Sequence, residues 1–196
     1  LVFDLGGGTF DISLVSSRGD NLDSFSVIAS KGDRELGGDD YTNVFLKFIL
    51  DAIKKKNPDV IFDHQTKAKI LEEIIRVKHA LSDEESEEFF VDFLSVKKGN
   101  VTSNLTFEYE VTRTEFAEIT YPLNSKIKSI SKSFLNLDSI KKEKIDKVIL
   151  VGGASRMPCF QELIKEITSL RPYIDLNPDE IVALGAAIVQ SMMIKK

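Results

Sequence analysis

An α/β fold is what this sequence predicts, and three stretches carry the prediction. Leu1–Leu5 and Phe10–Val15 are an apolar run and an alternating run, one buried strand and one half-buried strand, on either side of three consecutive glycines. Helical spacing of apolar residues follows over Tyr41–Ile53 and again from about Thr66 to Leu81. Ile145–Val151 then reads as a buried strand that runs through Gly152-Gly153 into a further amphipathic helix.

The first glycine turn organises the chain. In Asp4-Leu5-Gly6-Gly7-Gly8-Thr9-Phe10-Asp11, residues without a β-carbon let the backbone turn tightly and gather successive N–H groups into one concavity, which is an anion site and most often a phosphate site. Two carboxylates, Asp4 and Asp11, and the Thr9 hydroxyl bracket it, and such oxygen ligands suit hard cations such as Mg2+ and K+. The expected object is a hairpin gripping the phosphates of a metal-bound nucleotide. The spacing alone fits equally well a glycine-rich hairpin turn with two solvated acids.

Phe10–Val15 and Leu22–Ala29 are expected to pair as a hairpin across Ser16–Asp20. After a second glycine pair, Gly37-Gly38, Asp39 or Asp40 is placed to cap a helix whose buried side is Tyr41, Val44, Phe45, Phe48, Ile49 and Ile53. Lys54, Lys55 and Lys56 end it at the favourable pole of its dipole. The second helix buries Ile70, Leu71, Ile74 and Val77. Glu88–Val96 and Val101–Tyr109 read as two strands joined at Lys97–Asn100. Thr112 with Glu115 has the form of a capping box opening a helical stretch toward Asn136, and Pro122 inside it, costing about 3 kcal/mol in a straight helix, predicts a kink or break. Met157, Phe160, Leu163, Ile164 and Ile167 mark one more helix. Asn177, Pro178 and Glu180 open the last, whose Gly185-Ala186-Ala187 side is thin enough to pack closely on a sheet.

Composition removes several functions. Hydrophobic residues make up 42% and charged residues 29% of 196, ordinary for a globular chain with one core or two small subdomains. A net charge of −5 without a basic stripe argues against nucleic-acid binding. Cys159 is the one cysteine and His64 and His79 the two histidines, so neither a disulfide nor a cysteine- or histidine-based zinc site is expected. No apolar run reaches membrane-spanning length and no signal peptide precedes the first strand, which predicts a cytoplasmic protein. Because the chain starts inside a strand, it reads as a fragment of something longer.

Gly152-Gly153 lies between strand and helix, where α/β proteins bind ligands, although a plain strand–helix turn is the commoner meaning of an isolated pair. Arg156 beside it has the planar group to stack on a nucleobase, but alone it reads as a surface arginine. No Walker A lysine, dinucleotide fingerprint, nucleophile elbow or histidine triad is present.

Taken together, DLGGGTFD, GDRELGGDDY, VGGASRMP and NPDEIVALGAA, in this order and spacing, resemble the ATPase domain of the 70-kDa heat-shock chaperones, in its C-terminal half, over the whole chain. GGASRMP and IVALGAA are similar to the divergent, HscC-type bacterial branch beside DnaK. The resemblance implies the actin-like (ribonuclease H-like) ATPase fold, with two lobes around ATP or ADP, of which this is lobe II. It implies a mixed sheet with helices over about residues 1–33 and 119–196, and an inserted α+β subdomain over about 34–118. Gly6, Gly7, Gly8 and Thr9 would hold the β- and γ-phosphates. Asp4 would act through water on Mg2+ and help polarise the attacking water, with Thr9 as the second catalytic position, and Thr9 and Asp11 would contact K+. Gly37 and Gly38 would lie near the nucleotide. Lys78, Ser82, Gly152, Gly153, Arg156 and Asp179 match adenosine-contacting positions, and His79 stands where an arginine stacks on adenine.

Three positions depart from the pattern: Ile75 replaces a carboxylate that binds the ribose hydroxyls, His79 the stacking arginine, and Ala154 a serine at the base. Each lost neutral hydrogen bond costs roughly 0.5–1.5 kcal/mol, so adenosine binding is expected to be weaker with the phosphate side intact. The second phosphate loop, the catalytic lysine and a glutamate belong to lobe I, so the isolated chain is expected to be inactive. Implied partners are lobe I, a J-domain co-chaperone, a nucleotide exchange factor, and unfolded clients through a peptide-binding domain. Two other readings stay open: a lobe of a sugar kinase or actin relative, and a co-chaperone docking module with a decayed nucleotide pocket.

Overall fold

A computed structural model describes residues 1–17, 25–98, 100–174, 177 and 180–194. The strands are β1 (Val2–Leu5), β2 (Phe10–Ser17), β3 (Phe25–Asp33), β4 (Ser86–Lys98), β5 (Val101–Thr112) and β6 (Ile149–Val151). The helices are α1 (Gly38–Lys56), α2 (His64–Ala80), α3 (Arg113–Ile119), α4 (Tyr121–Leu135), α5 (Pro158–Thr168) and α6 (Ile181–Ile194). The chain divides into two units, Leu1–Asp39 with Leu123–Lys196, and Asp40–Pro122.

In the first unit, alternation decides the sheet. Phe3, Leu5, Phe10 and Ile12 are fully buried on one face, while Asp4 and Asp11 point to the other. The sheet order is β3-β2-β1-β6; β1 pairs antiparallel with β2 and parallel with β6. Phe10 stacks on Phe3 and meets the edge of Phe160 on α5, each at 6.4 Å between ring centres. The expected strand at Ile145–Val151 shrinks to Ile149–Val151, because the register with β1 gives only Val2, Phe3 and Asp4 as partners. The expected β2–β3 turn falls on residues 18–24, outside the described ones, and β3 runs on to Asp33, further than its apolar pattern. Pro178, expected at the first helical position, also lies outside the described residues, while the carbonyl of the expected cap Asn177 accepts from Glu180 and Ile181 N–H. The close packing expected of Gly185 is not found: a β-carbon there would meet nothing within 4 Å. Val182, Leu184, Ile188 and Val189 are exposed on the same helix, so among the described residues its small side chains have no surface to approach.

The second unit packs α1, α2 and α3 with the β4–β5 hairpin. Tyr41, Phe45, Ile49 and Ile53 form the buried stripe of α1, and Ile70, Ile74 and Val77 that of α2. Leu71, expected inside, is 36% exposed, since it falls one step off that stripe. The hairpin is longer at both ends than its apolar pattern, and its turn residue Gly99 lies outside the described ones. Asp63 caps α2, accepting Thr66 N–H at 2.7 Å, so that the helix begins at His64, two residues ahead of the expected start. Thr112 caps α3 by accepting Glu115 N–H at 3.1 Å. The return arm of the expected capping box is replaced, because the Glu115 carboxylate accepts the Tyr109 hydroxyl at 2.5 Å. The break expected near Pro122 comes at Thr120, whose hydroxyl donates to the Phe116 carbonyl at 2.8 Å, and the proline opens α4 instead of bending it. No described helix is long and apolar enough to cross a membrane.

Candidate functional site

Pairing of Leu5 with Phe10 leaves Gly6–Thr9 as a four-residue loop, closed by Gly6 N–H donating to the Thr9 carbonyl at 3.0 Å. Its outer side is set from behind. The first-turn N–H groups of α1 are spent on it: Gly38 donates to the Gly6 carbonyl at 2.9 Å and Asp39 to the Gly7 carbonyl at 2.7 Å. A trans peptide points its C=O and N–H in opposite directions, and no described peptide bond is cis. Fixing the Gly6 and Gly7 carbonyls toward α1 therefore turns the amides of Gly7 and Gly8 outward. Both residues are exposed, and among the described residues those two amides donate to no protein acceptor. α1 begins at Gly38, so the expected caps Asp39 and Asp40 fall within its first turn, and two of its first N–H groups, those of Gly38 and Asp39, are taken by main-chain carbonyls.

Glycines surround the loop because nothing larger fits. A β-carbon on Gly37 would lie 2.3 Å from the Gly7 carbonyl oxygen. One on Gly152, whose φ is +83°, would lie 2.3 Å from the Leu5 carbonyl and 2.6 Å from Asp4 Oδ1. One on Gly32 would lie 2.2 Å from Asp11 Oδ1. Across the sheet the sequence of neighbours is thus Gly32, Asp11, Asp4 and the Val151–Gly152 turn, two facing carboxylates between two bare backbones. Like charges opposite each other on neighbouring strands repel. Burial first, and the Asp11 charge second, push the Asp4 carboxyl above its usual range. A hard cation relieves that repulsion. Among the described residues no group of three or more His, Cys, Asp or Glu side chains that could hold a metal ion exists, so Asp4 and Asp11 stand here as a pair of carboxylates.

The first unit thus brings Asp4, Gly6–Thr9, Asp11, Gly37, Gly38 and Gly152 together. Gly153 is exposed and opens a short 3-10 turn ending at Arg156, whose Nη2 donates to Asn177 Oδ1 at 2.8 Å. Ala154 packs against the start of α1, where a β-carbon on Gly38 would be 3.0 Å from its own. Asp179 lies outside the described residues.

Lys78, His79 and Ser82 belong to the second unit. Lys78 Nζ donates to the buried Thr42 hydroxyl at 2.7 Å, which joins α2 to α1. Arg113 donates to the Leu81 carbonyl at 2.8 Å and the Ser82 carbonyl at 3.0 Å, and so fixes the end of α2. Arg76 is held by the Glu73 and Glu87 carboxylates, which raise its pKa further. Ile75, between these charged neighbours, is 38% exposed. Sequence reasoning missed Gly32, Thr42 and Arg113. An isolated glycine in a strand was a usable signal for Gly32; the other two act across long chain separations and leave no local trace.

The profile of the Hsp70 protein family matches residues 1–195. The chaperone protein DnaK of Metamycoplasma hominis is 38% identical over 189 residues, covering 96% of this chain and 31% of that protein. The DnaK of Phaeodactylum tricornutum is 36% identical over 189 residues (96% and 30%), and that of Mycoplasmopsis agalactiae 36% over 190 residues (96% and 31%). The chain therefore spans just under a third of the length of these curated relatives. With a mixed sheet carrying a glycine loop beside paired carboxylates, and with these matches over nearly its whole length, the chain belongs to the Hsp70 family, whose ATPase domain has the actin-like α/β fold.

Proposed function

We propose that this chain is lobe II of an Hsp70 ATPase domain and that it grips the β- and γ-phosphates of ATP or ADP. The observation that carries the reading is the latch of the Gly6 and Gly7 carbonyls to Gly38 and Asp39, which turns the next two amides outward beside Asp4 and Asp11. In this reading Gly6–Gly8 and Thr9 bind phosphate oxygens. Asp4 orders Mg2+ through water and orients the attacking water, and Thr9 and Asp11 take K+. Bound Mg2+ supplies the charge that neutralises the phosphate oxygens. Gly152, Gly153, Arg156 and Asp179, and Lys78, His79 and Ser82, are the positions that match adenosine contacts in the family. The first unit is assigned to the sheet subdomain and the second to the inserted one.

Phosphoryl transfer needs charge stabilisation from both sides, so hydrolysis is assigned to the two-lobe parent and not to this chain alone. There it drives a chaperone cycle in the cytoplasm with a J-domain protein, an exchange factor and unfolded clients. The HscC-type placement rests on GGASRMP and IVALGAA. A co-chaperone docking module with a decayed nucleotide pocket is the second reading, favoured by the exposed apolar Ile75 where a ribose-binding carboxylate is expected.

Calorimetric titration of MgADP into the complete two-lobe domain separates the two. Binding is expected, and Gly8→Ala, which keeps the amide but adds a methyl group on the exposed side of the loop, should weaken it by about tenfold. A folded wild-type domain that gives no heat overturns the nucleotide reading and leaves the docking module.

A further inference from the structure

The outward amides of Gly7 and Gly8 depend on the segment behind them, and that segment has its own support within the first unit. Gly38 and Asp39 supply the two donors, and Leu36, 1% exposed, anchors the stretch in the core. Between Leu36 and the end of β3 the backbone is exposed at Arg34 and Glu35, with little apolar contact to fix it. There Asp33 makes two bonds. Its Oδ1 accepts Glu35 N–H at 2.9 Å, and its Oδ2 lies 2.7 Å from Nζ of Lys126 on α4. Two turns further along the same face of α4, Ser133 accepts from Lys31 Nζ at 2.8 Å, so the end of β3 is tied to that helix twice. Lys126, and then Glu35 N–H, hold the Asp33 carboxyl below its usual range, as a persistent pair requires.

We propose that Asp33 and Lys126 are positioning residues for the glycine loop: their pair sets the turn whose Gly38 and Asp39 amides aim the Gly7 and Gly8 N–H groups. This deepens, and rests on, the reading of that loop as a phosphate cradle. Neither side chain touches the ligand. An exposed ion pair adds little to global stability, so its effect is local: it narrows the orientations of a turn that is otherwise loosely held.

Two measurements test this separately from the nucleotide reading. The first is amide hydrogen exchange of this chain, read at Gly38 and Asp39 and, for reference, at Ile164 in α5. Asp33→Ala should speed exchange at Gly38 and Asp39 by about tenfold and leave Ile164 unchanged. Lys126→Met should act in the same direction more weakly, and Lys126→Arg should behave as wild type. Unchanged exchange in both loss variants, or faster exchange at all three amides together, overturns the proposal. The second is MgADP affinity of the complete two-lobe domain, which should fall in Asp33→Ala and Lys126→Met and recover in Lys126→Arg. Faster local exchange with unaltered affinity overturns the positioning role. A wild-type domain that binds no MgADP sinks the phosphate reading instead, with the exchange result still deciding whether the pair aims the loop.

Discussion

Gly37 lies so close to Gly7 that a methyl group on it would sit 2.3 Å from the Gly7 carbonyl oxygen and 2.6 Å from the Gly7 carbonyl carbon. Gly8, one residue along the loop, has open space around the same position. Two glycines of one site therefore differ in why they are glycine, and substitution separates them. Gly37→Ala should displace the loop and lower the melting temperature. Gly8→Ala should leave the melt within about 0.5 kcal/mol of wild type, as exposed substitutions do, while blocking the cradle. Thermal melts beside MgADP titrations of the two-lobe domain check both. Equal destabilisation by the two variants would contradict the geometry.

Asp4 carries a pH signature. Its carboxyl is raised by burial and by Asp11, so the ionised form is disfavoured in the folded state. That penalty is absent below the unfolded carboxyl value, about 4, and complete above the raised folded one. Asp4→Asn should thus melt higher than wild type at pH 7–8, and the gap should close as pH falls toward 4. A gap independent of pH, measured by scanning fluorimetry, would show that Asp4 is not held ionised against a cost.

Ser131 on α4 is fully buried, and its hydroxyl is the one buried side-chain polar atom among the described residues with no hydrogen-bond partner. Leaving such a group unpaired costs about 1–3 kcal/mol. Ser131→Ala should stabilise the protein by about 1 kcal/mol, helped by the higher helix propensity of alanine. Urea unfolding gives the answer, and a loss of stability would mean that the hydroxyl has a partner after all, such as a bound water.

If Ile75 and His79 stand at adenosine-contacting positions as proposed, Ile75→Glu with His79→Arg restores the groups that bind sugar and base. The double variant should tighten MgATP binding to the two-lobe domain, since a hydrogen bond to a charged group contributes about 1.5–3 kcal/mol. Unchanged affinity would count against placing these residues at the sugar and base.

Sequence alone revealed the parts of this molecule that depend on local backbone chemistry. Three glycines between alternating strands state their turn directly, and the apolar stripes of α1 and α2 are written at helical spacing. What it concealed is tertiary. Asp39 and Asp40 read as caps from the sequence, yet the Gly38 and Asp39 N–H groups go to carbonyls of the glycine loop, which no side-chain rule anticipates. The pairing of Asp33 with Lys126 joins residues far apart in the chain, and neither is unusual in its own neighbourhood. Gly185-Ala186-Ala187 misled in the opposite sense, since small residues permit close packing without supplying a neighbour.

The latch behind the glycine loop also sets a limit on selectivity. Its two bonds, from Gly38 to the Gly6 carbonyl and from Asp39 to the Gly7 carbonyl, are main-chain bonds that shape the loop without a ligand, so on the proposed reading little ordering of the loop is left to accompany occupancy. If the Gly7 and Gly8 amides hold a phosphate as proposed, they meet the tetrahedral anion alone and not what it is attached to. Telling one phosphorylated metabolite from another must therefore fall to residues beyond this hairpin, and changes there can retune the preferred molecule without touching the grip.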